Sequence, residues 1–441
     1  MNHREHAAEE ACEGHIPDLA RPRAEAEAGA VLEQALHQDA LNIANKSRSN
    51  PLPWRGQFSP QLVEALLRMY SRPHGVVLDP FGGSGTVLHE CARLGLTGLA
   101  TEINPAAATM ARTYELCMLP PAKREALLND LSKTLQPLFS ADLPLFKSPK
   151  SEEPDLRPSL IGAWKDIPNR TSRIPLETLI CLTDFYQGPP TAQEISSTWR
   201  KLVDLILSLP HSRKPIEVAL CDARSLPLAG KCVDLVVTSP PYINVFNYHQ
   251  QFRASMEALG WNLLAVARSE IGANRKHRSN RLLTVIQYCI DMASALAELR
   301  RVGKPDLRVV MVVGRESNVR KTAFYNGKMI GRLAVECSGF ELVLEQERVF
   351  KNKFGQEIYE ELLHLIPRTG DPATNVDLAR QVGVEVLRQG IVRAPADVVS
   401  DFEEAIEGAG GVVASPRFQG RAAKKGSMVP SRFMKFSRSR A

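Results

Sequence analysis

The chain lacks any long apolar run, and this excludes one class of protein. Its 441 residues are 44% hydrophobic. However, no stretch approaches the roughly 18 consecutive apolar residues that a membrane-spanning helix needs. No apolar segment follows a basic start at the N-terminus, as it would in a secretory signal. We therefore expect a cytoplasmic protein with reduced thiols and no membrane partner.

Metal-site spacing is also missing. The sequence holds eight cysteines and ten histidines, but no Cys-x-x-Cys pair and no Cys/His cluster with zinc spacing occurs among them. The sequence therefore predicts no metal site. The charge balance is close to even, because the net excess of +6 permits a polyanionic partner without indicating one.

A glycine-rich turn after an apolar strand is the first positive signal. Residues 76–78 are apolar, and they lead into Asp79-Pro80-Phe81-Gly82-Gly83-Ser84-Gly85-Thr86 and then a helical pattern. Glycines let a backbone turn sharply and approach a ligand closely. The dinucleotide fingerprint lacks its third glycine here, and the Gly-Lys-Ser/Thr of a P-loop is absent. The pattern is typical of a nucleotide site in a doubly wound α/β fold.

Two acidic residues follow further predicted strands. Glu102 comes after the strand at 96–101, about 20 residues past the glycines, where such folds place a carboxylate that binds ribose hydroxyls. Asp222 follows the strand at 216–220 and can accept a hydrogen bond from an adenine amino group. A helix-capping or surface role for Glu102 and a turn role for Asp222 remain open.

The most informative stretch is Thr238-Ser239-Pro240-Pro241-Tyr242, which ends the apolar run 233–237. Each proline fixes its own φ and has no N–H, so the loop is stiff and its carbonyls stay available as acceptors. The Ser239 hydroxyl and the Pro240 carbonyl can accept both hydrogens of an amino group, while Tyr242 can stack on a base. A rigid turn that closes a buried strand is the alternative.

Together these motifs resemble the S-adenosylmethionine-dependent amino-methyltransferases of DNA, over about residues 76–112 and 215–250. The resemblance implies a Rossmann-like class I methyltransferase sheet, mostly parallel with an antiparallel terminal strand, carrying a long helical insertion and a C-terminal appendix. It implies S-adenosylmethionine as cofactor, DNA as partner, and direct methyl transfer to a base that has swung out of the duplex.

The resemblance also implies roles for individual residues. The implied cofactor-binding residues are Phe58, Asp79, Phe81, Gly83, Gly85, Thr86, Glu102 and Asp222. The implied catalytic residues are Ser239, Pro240, Pro241 and Tyr242.

The serine before the prolines bears on the target. In this family a serine there is mostly associated with cytosine N4, and an aspartate or asparagine with adenine N6. Cytosine N4 is therefore favoured, and adenine N6, an RNA or protein amino group, or a non-enzymatic cofactor-binding nucleic-acid module are the alternatives. A role in restriction-modification or host-DNA marking, with a cognate restriction endonuclease, is also implied, and the oligomeric state is left open.

Residues after the catalytic loop are candidates for DNA contact. Tyr248 can frame an extruded base, although core packing explains it equally well. Basic side chains in the following polar stretch can meet backbone phosphates; they are Arg268, Arg275, Lys276 and Arg278. The basic tail from residue 421 onward can do the same, and a solvated linker is the alternative for both segments.

The chain divides into five predicted segments. These are a helical or disordered leader (1–45), the cofactor-binding half of the catalytic domain (46–115), a helical insertion (116–212), the catalytic half (213–367), and a helical appendix with a basic tail (368–441). The insertion is far longer than an ordinary crossover, so target recognition is one role for it, and a lid or dimer surface is the alternative. Predicted strands at 340–345 and 360–366 form the terminal antiparallel pair.

Overall fold

A seven-stranded sheet forms the centre of the protein. In our computed structural model, the described residues are 35–43, 45–139, 154–243, 248–272, 277, 279–352, 354–370 and 375–418. The strands are β1 (Val76–Asp79), β2 (Thr97–Glu102), β3 (Ile216–Leu220), β4 (Val233–Thr238), β5 (Gly303–Gly314), β6 (Glu316–Val319), β7 (Thr322–Tyr325), β8 (Phe340–Lys351) and β9 (Glu357–Pro367). The central sheet has the order β3-β2-β1-β4-β5-β9-β8, and β6 and β7 form a separate pair.

Strand direction confirms the predicted fold class. Strands β1 to β5 are parallel, and β9 runs antiparallel to both β5 and β8. The chain builds outward from β1 to β3 and then restarts on the other side of β1 with β4. This reversal is a topological switch point, where open α/β sheets bind ligands beyond the carboxyl ends of their strands.

Helices cover both faces of the sheet because several of its strands are buried on both sides. Strands β1, β3 and β4 are buried along their whole length, as expected of a parallel sheet between helical layers. The α-helices before the insertion are α1 (Gln38–Leu41), α2 (Pro60–Tyr70), α3 (Thr86–Leu94) and α4 (Pro105–Arg112). Helices α2 to α4 pack on one face, in a core that includes Val77 and Leu235.

The described residues of the predicted insertion, 116–139 and 154–212, add four α-helices to that same face. They are α5 (Pro121–Phe139), α6 (Arg157–Lys165), α7 (Arg170–Leu182) and α8 (Ala192–Ser208). Leu135, Ile180 and Trp199 from these helices belong to the same core as α2 to α4. Arg124 is buried and donates hydrogen bonds to the carbonyls of Ile206 (3.0 Å) and Leu209 (2.6 Å). The insertion therefore packs as part of the body, and its role in target recognition stays a prediction.

The remaining α-helices lie between residues 253 and 407, in the segments predicted as the catalytic half and the appendix. They are α9 (Arg253–Ala258), α10 (Leu263–Ser269), α11 (Leu283–Val302), α12 (Asn326–Arg332), α13 (Val376–Ile391) and α14 (Val399–Glu407). Helices α11, α13 and α14 share the core on the second face of the sheet, with Leu296, Leu387 and Phe402 among its members. In the described ranges, no helix is long and apolar enough to cross a membrane.

The sequence located most of these elements but shortened the last strands. The strands predicted at 340–345 and 360–366 are Phe340–Lys351 and Glu357–Pro367 in the structure. The predicted segment boundaries stay predictions. The leader, except for a few residues at its end, and the tail from residue 421 lie outside the described residues.

Candidate cofactor and catalytic site

A pocket opens at the carboxyl ends of β1 to β4, at the switch point of the sheet. It encloses about 910 Å³ of empty space, part of it open to solvent. Of the residues predicted from sequence, its walls include Phe58, Asp79, Phe81, Gly83, Thr86, Glu102, Asp222, Ser239, Pro241 and Tyr248. The fold thus brings the predicted cofactor residues, except Gly85, and part of the predicted catalytic loop to one cavity.

Asp79 connects the glycine turn to the end of β4. Its Oδ1 accepts hydrogen bonds from the backbone N–H of Phe81 (3.1 Å) and from the hydroxyl of Thr238 (2.7 Å). Burial raises the pKa of this carboxyl to about 7, although both hydrogen bonds act in the opposite direction. Because Thr238 directly precedes Ser239, Asp79 fixes the start of the catalytic loop relative to the turn.

Gly83 and Gly85 serve different purposes in the turn. Gly83 has φ of +49°, and a Cβ there would lie 3.4 Å from the Trp54 ring across the pocket wall. Gly85 has φ of +94°, and a Cβ there would lie 2.8 Å from the Tyr114 ring and 2.9 Å from Ala111. Gly85 is not among the pocket-lining residues. Close packing against α4 and the residues after it therefore demands the glycine at 85.

Glu102 ends β2 and faces the pocket. Its Oε2 accepts from the Gly83 N–H at 2.9 Å, and its Oε1 accepts from the Asn104 N–H at 2.8 Å. Burial raises the pKa of this carboxyl to about 7, and the nearby charges of Asp79 and Glu270 act in the same direction. Each carboxylate oxygen can accept a second hydrogen bond, so the group retains capacity for ribose hydroxyls.

Asp222 is held by a buried arginine that sequence reasoning missed. Arg224 donates to Asp222 through Nε (2.9 Å) and Nη2 (2.7 Å), and both residues are almost fully buried. Burial acts to raise the pKa of Asp222, but the hydrogen bonds and charge of Arg224 outweigh it and keep that pKa below its usual range. Arg224 also donates to Asp291 at 2.5 Å. The predicted adenine contact of Asp222 stays a prediction.

The last described residues of the chain complete this network. The backbone N–H of Phe418 donates to Asp222 at 3.0 Å, and the N–H of Ser415 donates to Asp291 at 2.8 Å. Arg224 in turn donates to the carbonyls of Ser415 and Pro416, both at 3.0 Å. Residues 415–418 are thus bound to the buried charges behind the pocket.

The predicted catalytic loop, residues 238–242, is supported from behind by Tyr288 and Gly272. The hydroxyls of Ser239 and Tyr242 lie 3.3 Å apart. Tyr288, fully buried, donates its hydroxyl to the carbonyl of Pro241 at 3.0 Å. Gly272 has φ of +73°, and a Cβ there would lie 2.8 Å from the carbonyl oxygen of Tyr242. Burial raises the pKa of Tyr242 to about 12, which keeps its hydroxyl neutral.

Not all of the predicted loop residues line the pocket. Pro240 is buried, and neither it nor Tyr242 is among the pocket-lining residues. The Tyr242 ring instead lies against Gly314 at the end of β5, where a Cβ would be 3.4 Å from the ring. Tyr242 therefore borders the pocket on the side of β5 rather than forming its wall.

Two further contributions to the pocket escaped the sequence analysis. Trp54 stacks on Tyr248, with ring centroids 5.8 Å apart and an interplanar angle of 17°. Glu270 lines the pocket, and its Oε2 lies 2.9 Å from Nδ1 of His249. Trp54 lies four residues before Phe58, in the segment 50–60. Its closeness to a predicted cofactor residue could have indicated that it lines the pocket. Glu270 had no such signal, because it follows a short helix in a region without a motif.

The predicted phosphate-binding residues are only partly visible. Arg268 is exposed on α10 and does not line the pocket. Arg275, Lys276 and Arg278 lie outside the described residues. Their contact with DNA stays a prediction. Across the described ranges, no group of three or more His, Cys, Asp or Glu side chains is arranged to hold a metal ion.

A comparison with solved structures gave matches of low structural similarity. One is described as a SAM-dependent methyltransferase from Methanosarcina mazei, with 11% identity, a TM-score of 0.33, and coverage of 69% of this chain and 98% of that chain. Another is the PH0226 protein from Pyrococcus horikoshii OT3, with 12% identity, a TM-score of 0.30, and coverage of 69% and 88%. Scores this low carry no argument about function.

Sequence comparisons are more specific. The Type II methyltransferase M.MjaII from Methanocaldococcus jannaschii is 34% identical over 95 residues, which cover 21% of this chain and 17% of the relative. The chain thus matches less than a fifth of that relative's length. A family model described as DNA methylase, N6_N4_Mtase, matches residues 9–113, which hold the glycine turn and Glu102. Over residues 9–113 the chain is therefore similar to the DNA methylase family of amino-methyltransferases, as its motifs predict.

Proposed function

We propose that this protein transfers a methyl group from S-adenosylmethionine to an exocyclic amino group of a DNA base, with cytosine N4 as the favoured target. One observation carries the proposal. A single pocket joins the glycine turn and Glu102, which suit a nucleoside cofactor, to Ser239 and Pro241 of the loop that suits an amino group. The family match supports S-adenosylmethionine as the cofactor.

The residues around the pocket fit that cofactor. Phe58 and Phe81 supply apolar walls, Gly83 leaves room where a Cβ would approach Trp54, and Glu102 can accept from ribose hydroxyls. Asp222 lies at the far end of the same pocket, after β3. When bound, the cofactor supplies an electrophilic methyl group on a sulfonium. The carboxylate of Glu102 also favours a ligand that carries positive charge.

The catalytic loop holds the acceptor by its stiffness. Pro240 and Pro241 fix the backbone, and Tyr288 holds the carbonyl of Pro241 through its hydroxyl. An amino group whose hydrogens are accepted by the Ser239 hydroxyl and a loop carbonyl has its lone pair directed at the methyl donor. Rate acceleration then comes mainly from proximity and alignment. No covalent intermediate between enzyme and base is required.

The choice of base rests on Ser239, because the family resemblance associates a serine there with cytosine N4. Adenine N6 and an amino group of RNA remain the alternatives. A part in restriction-modification or host-DNA marking, a cognate endonuclease and a cytoplasmic location belong to the same proposal.

The proposal is tested by methyl transfer from labelled S-adenosylmethionine to genomic DNA and to total RNA, followed by mass analysis of the labelled nucleosides. N4-methylcytosine in DNA is expected. N6-methyladenine in DNA would keep the mechanism and correct the target, and label in RNA alone would refute the DNA assignment.

The site assignment is tested with Tyr242→Ala and a matched surface control, Tyr186→Ala. Tyr186 is exposed on the insertion, with 79% of its surface accessible. Tyr242→Ala is expected to lower methyl transfer by at least tenfold and to leave the cofactor Kd within about twofold, because Tyr242 borders the pocket without lining it. Equal loss of cofactor binding and transfer would contradict this assignment.

A further inference from the structure

A second groove adjoins the pocket on the other side of the segment 50–60. It encloses about 1130 Å³ of empty space, much of it open to solvent, and it shares Trp54, Gln57 and Phe58 with the pocket. Its remaining lining residues are Lys46, Ser47, Arg48, Ser49, Asn50, Ser59, Pro60, Arg348, Phe350 and Glu360. We call it the basic groove, since three of these residues are cations.

Arg348 is the unusual member of the basic groove. Its side chain is only 3% exposed, and it forms a long ion pair with Glu360, in which Nη1 and Oε2 lie 3.6 Å apart, beyond hydrogen-bond distance. Its Nε has no hydrogen-bond partner among the described residues. Burial lowers the pKa of Arg348, but a guanidinium keeps its charge in a protein. A buried cation with an unsatisfied donor is costly unless an anion meets it.

The other cations of the groove differ in how far they are neutralised. Arg48 is already paired with two carboxylates, Glu64 and Glu90. Lys46 is exposed, and its Nζ lies 5.4 Å from the centre of the Phe350 ring. The guanidinium carbon of Arg348 lies 4.5 Å from the same ring. Lys46 and Arg348 therefore meet at one aromatic side chain and present positive charge to the same space.

The groove lies beside the catalytic loop because of strand register. Arg348 on β8 pairs with Glu360 on β9, and Glu360 pairs with Gly314 at the end of β5. Gly314 is the residue against which the Tyr242 ring lies. The charges of Arg348 and Glu360 are close enough to act on the pKa of Tyr242. The basic groove therefore adjoins the cofactor pocket on the side of Tyr242 and β5.

We infer that the basic groove binds the sugar-phosphate backbone of the substrate strand, with Arg348 and Lys46 contacting a phosphodiester group next to the extruded nucleotide. A guanidinium suits this role because its planar donors match the oxygens of a phosphate. The serine and asparagine side chains of the groove add neutral donors of the kind that phosphate contacts commonly use. The inference rests on the proposed function, since it presumes a nucleic-acid substrate.

The test measures the affinity for a fluorescein-labelled DNA oligonucleotide over a range of salt concentrations. The variants are Arg348→Gln, Arg348→Lys and Lys46→Gln. The control is Arg332→Gln, because Arg332 on α12 is paired with Glu336 and Glu385 and does not line the groove. Thermal unfolding and cofactor affinity are measured for each variant to establish that it is folded.

Loss of one phosphate contact reduces the slope of log K against log salt by about 0.9. Arg348→Gln and Lys46→Gln are each expected to show a reduction of about that size and roughly tenfold weaker DNA binding, while Arg348→Lys retains part of the affinity and Arg332→Gln matches the wild type. Unchanged affinity and slope in folded variants would overturn the inference. Lys46→Gln carries the test if Arg348→Gln does not fold, since Lys46 is exposed.

The outcome separates this inference from the proposed function. If the protein binds DNA through these residues but methylates no base, the groove stands and the enzymatic proposal fails. If the wild type binds only RNA and the variants weaken that binding, the phosphate contact stands and the DNA assignment fails. A wild type that binds neither nucleic acid refutes both.

Discussion

Cofactor binding should depend steeply on pH, because two carboxyls at the pocket have raised pKa values. Burial raises the pKa of Glu102 and of Asp79 to about 7 each. A ligand whose hydroxyls donate to Glu102 and whose sulfonium is cationic binds the carboxylate form better than the acid. Binding must therefore release protons below neutral pH.

The size of the effect follows from a single titration. If one proton must leave a group of pKa about 7, the apparent Kd at pH 6 rises roughly 11-fold above its limiting value, and at pH 8 it rises by only about 10%. If both carboxyls must ionise independently, the rise at pH 6 is roughly 120-fold. Glu102→Gln should bind the cofactor more weakly at pH 8. The pH dependence of its Kd should lack the titration of one group.

Isothermal titration calorimetry with S-adenosylmethionine from pH 5.5 to pH 8.5 measures this directly. Glu257→Gln is the matched control, since Glu257 forms a surface ion pair with Arg253. A Kd that changes less than twofold between pH 6 and pH 8 would refute the reasoning. So would an unaltered pH dependence in Glu102→Gln.

The same shifts set the stability of the unliganded protein. A carboxyl whose pKa is raised on folding takes up a proton, so its contribution to stability is present below its unfolded pKa and is lost as the pH rises through about 7. The melting temperature without cofactor should therefore fall across this range. The increase that S-adenosylmethionine produces in the melting temperature should be larger at pH 8 than at pH 6.

Three substitutions probe the turn and the catalytic loop. Gly85→Ala should destabilise the protein by roughly 1–3 kcal/mol in urea unfolding, because its Cβ would meet Tyr114 and its φ is positive; a stable variant that has lost cofactor binding would contradict the packing role. Tyr288→Phe removes the hydrogen bond to the Pro241 carbonyl. Loss of such a bond costs about 0.5–1.5 kcal/mol, so we expect a several-fold fall in kcat with the cofactor Kd unchanged. Ser239→Ala should lower the single-turnover rate by roughly 10-fold to 100-fold, as expected for loss of one positioned polar group; an unchanged rate would exclude its hydroxyl from the chemistry.

Local pattern was enough to predict the sheet and the residues at its strand ends. Glu102 and Ser239 each follow an apolar run, and parallel strands deliver their carboxyl ends to one edge, so their meeting followed from the fold class. The family resemblance supplied Phe58, which precedes the first strand of the sheet in the sequence and does not follow a strand. These residues all line one pocket in the structure.

Contacts between distant segments could not be predicted. Besides Arg224, Asp222 accepts a hydrogen bond from the N–H of Phe418. The Pro241 carbonyl accepts one from the Tyr288 hydroxyl. Neither hydrogen bond can be predicted from sequence spacing, because long-range packing brings the two residues together. Gly85 is a case in which the motif predicted the wrong neighbour. The glycine was expected to approach the ligand, but it packs against α4 and Tyr114.

The hydrogen bonds from residues 415–418 make the last described residues of the chain part of the buried charge cluster behind the pocket. The buried cluster behind the pocket holds two carboxylates, Asp222 and Asp291, against the one guanidinium of Arg224. Backbone donors from Ser415 and Phe418 offset the surplus negative charge. A chain that ended before Ser415 would lack these donors, and the surplus negative charge would be uncompensated. Truncation at the C-terminus should therefore disturb Asp222, at the adenine end of the proposed site.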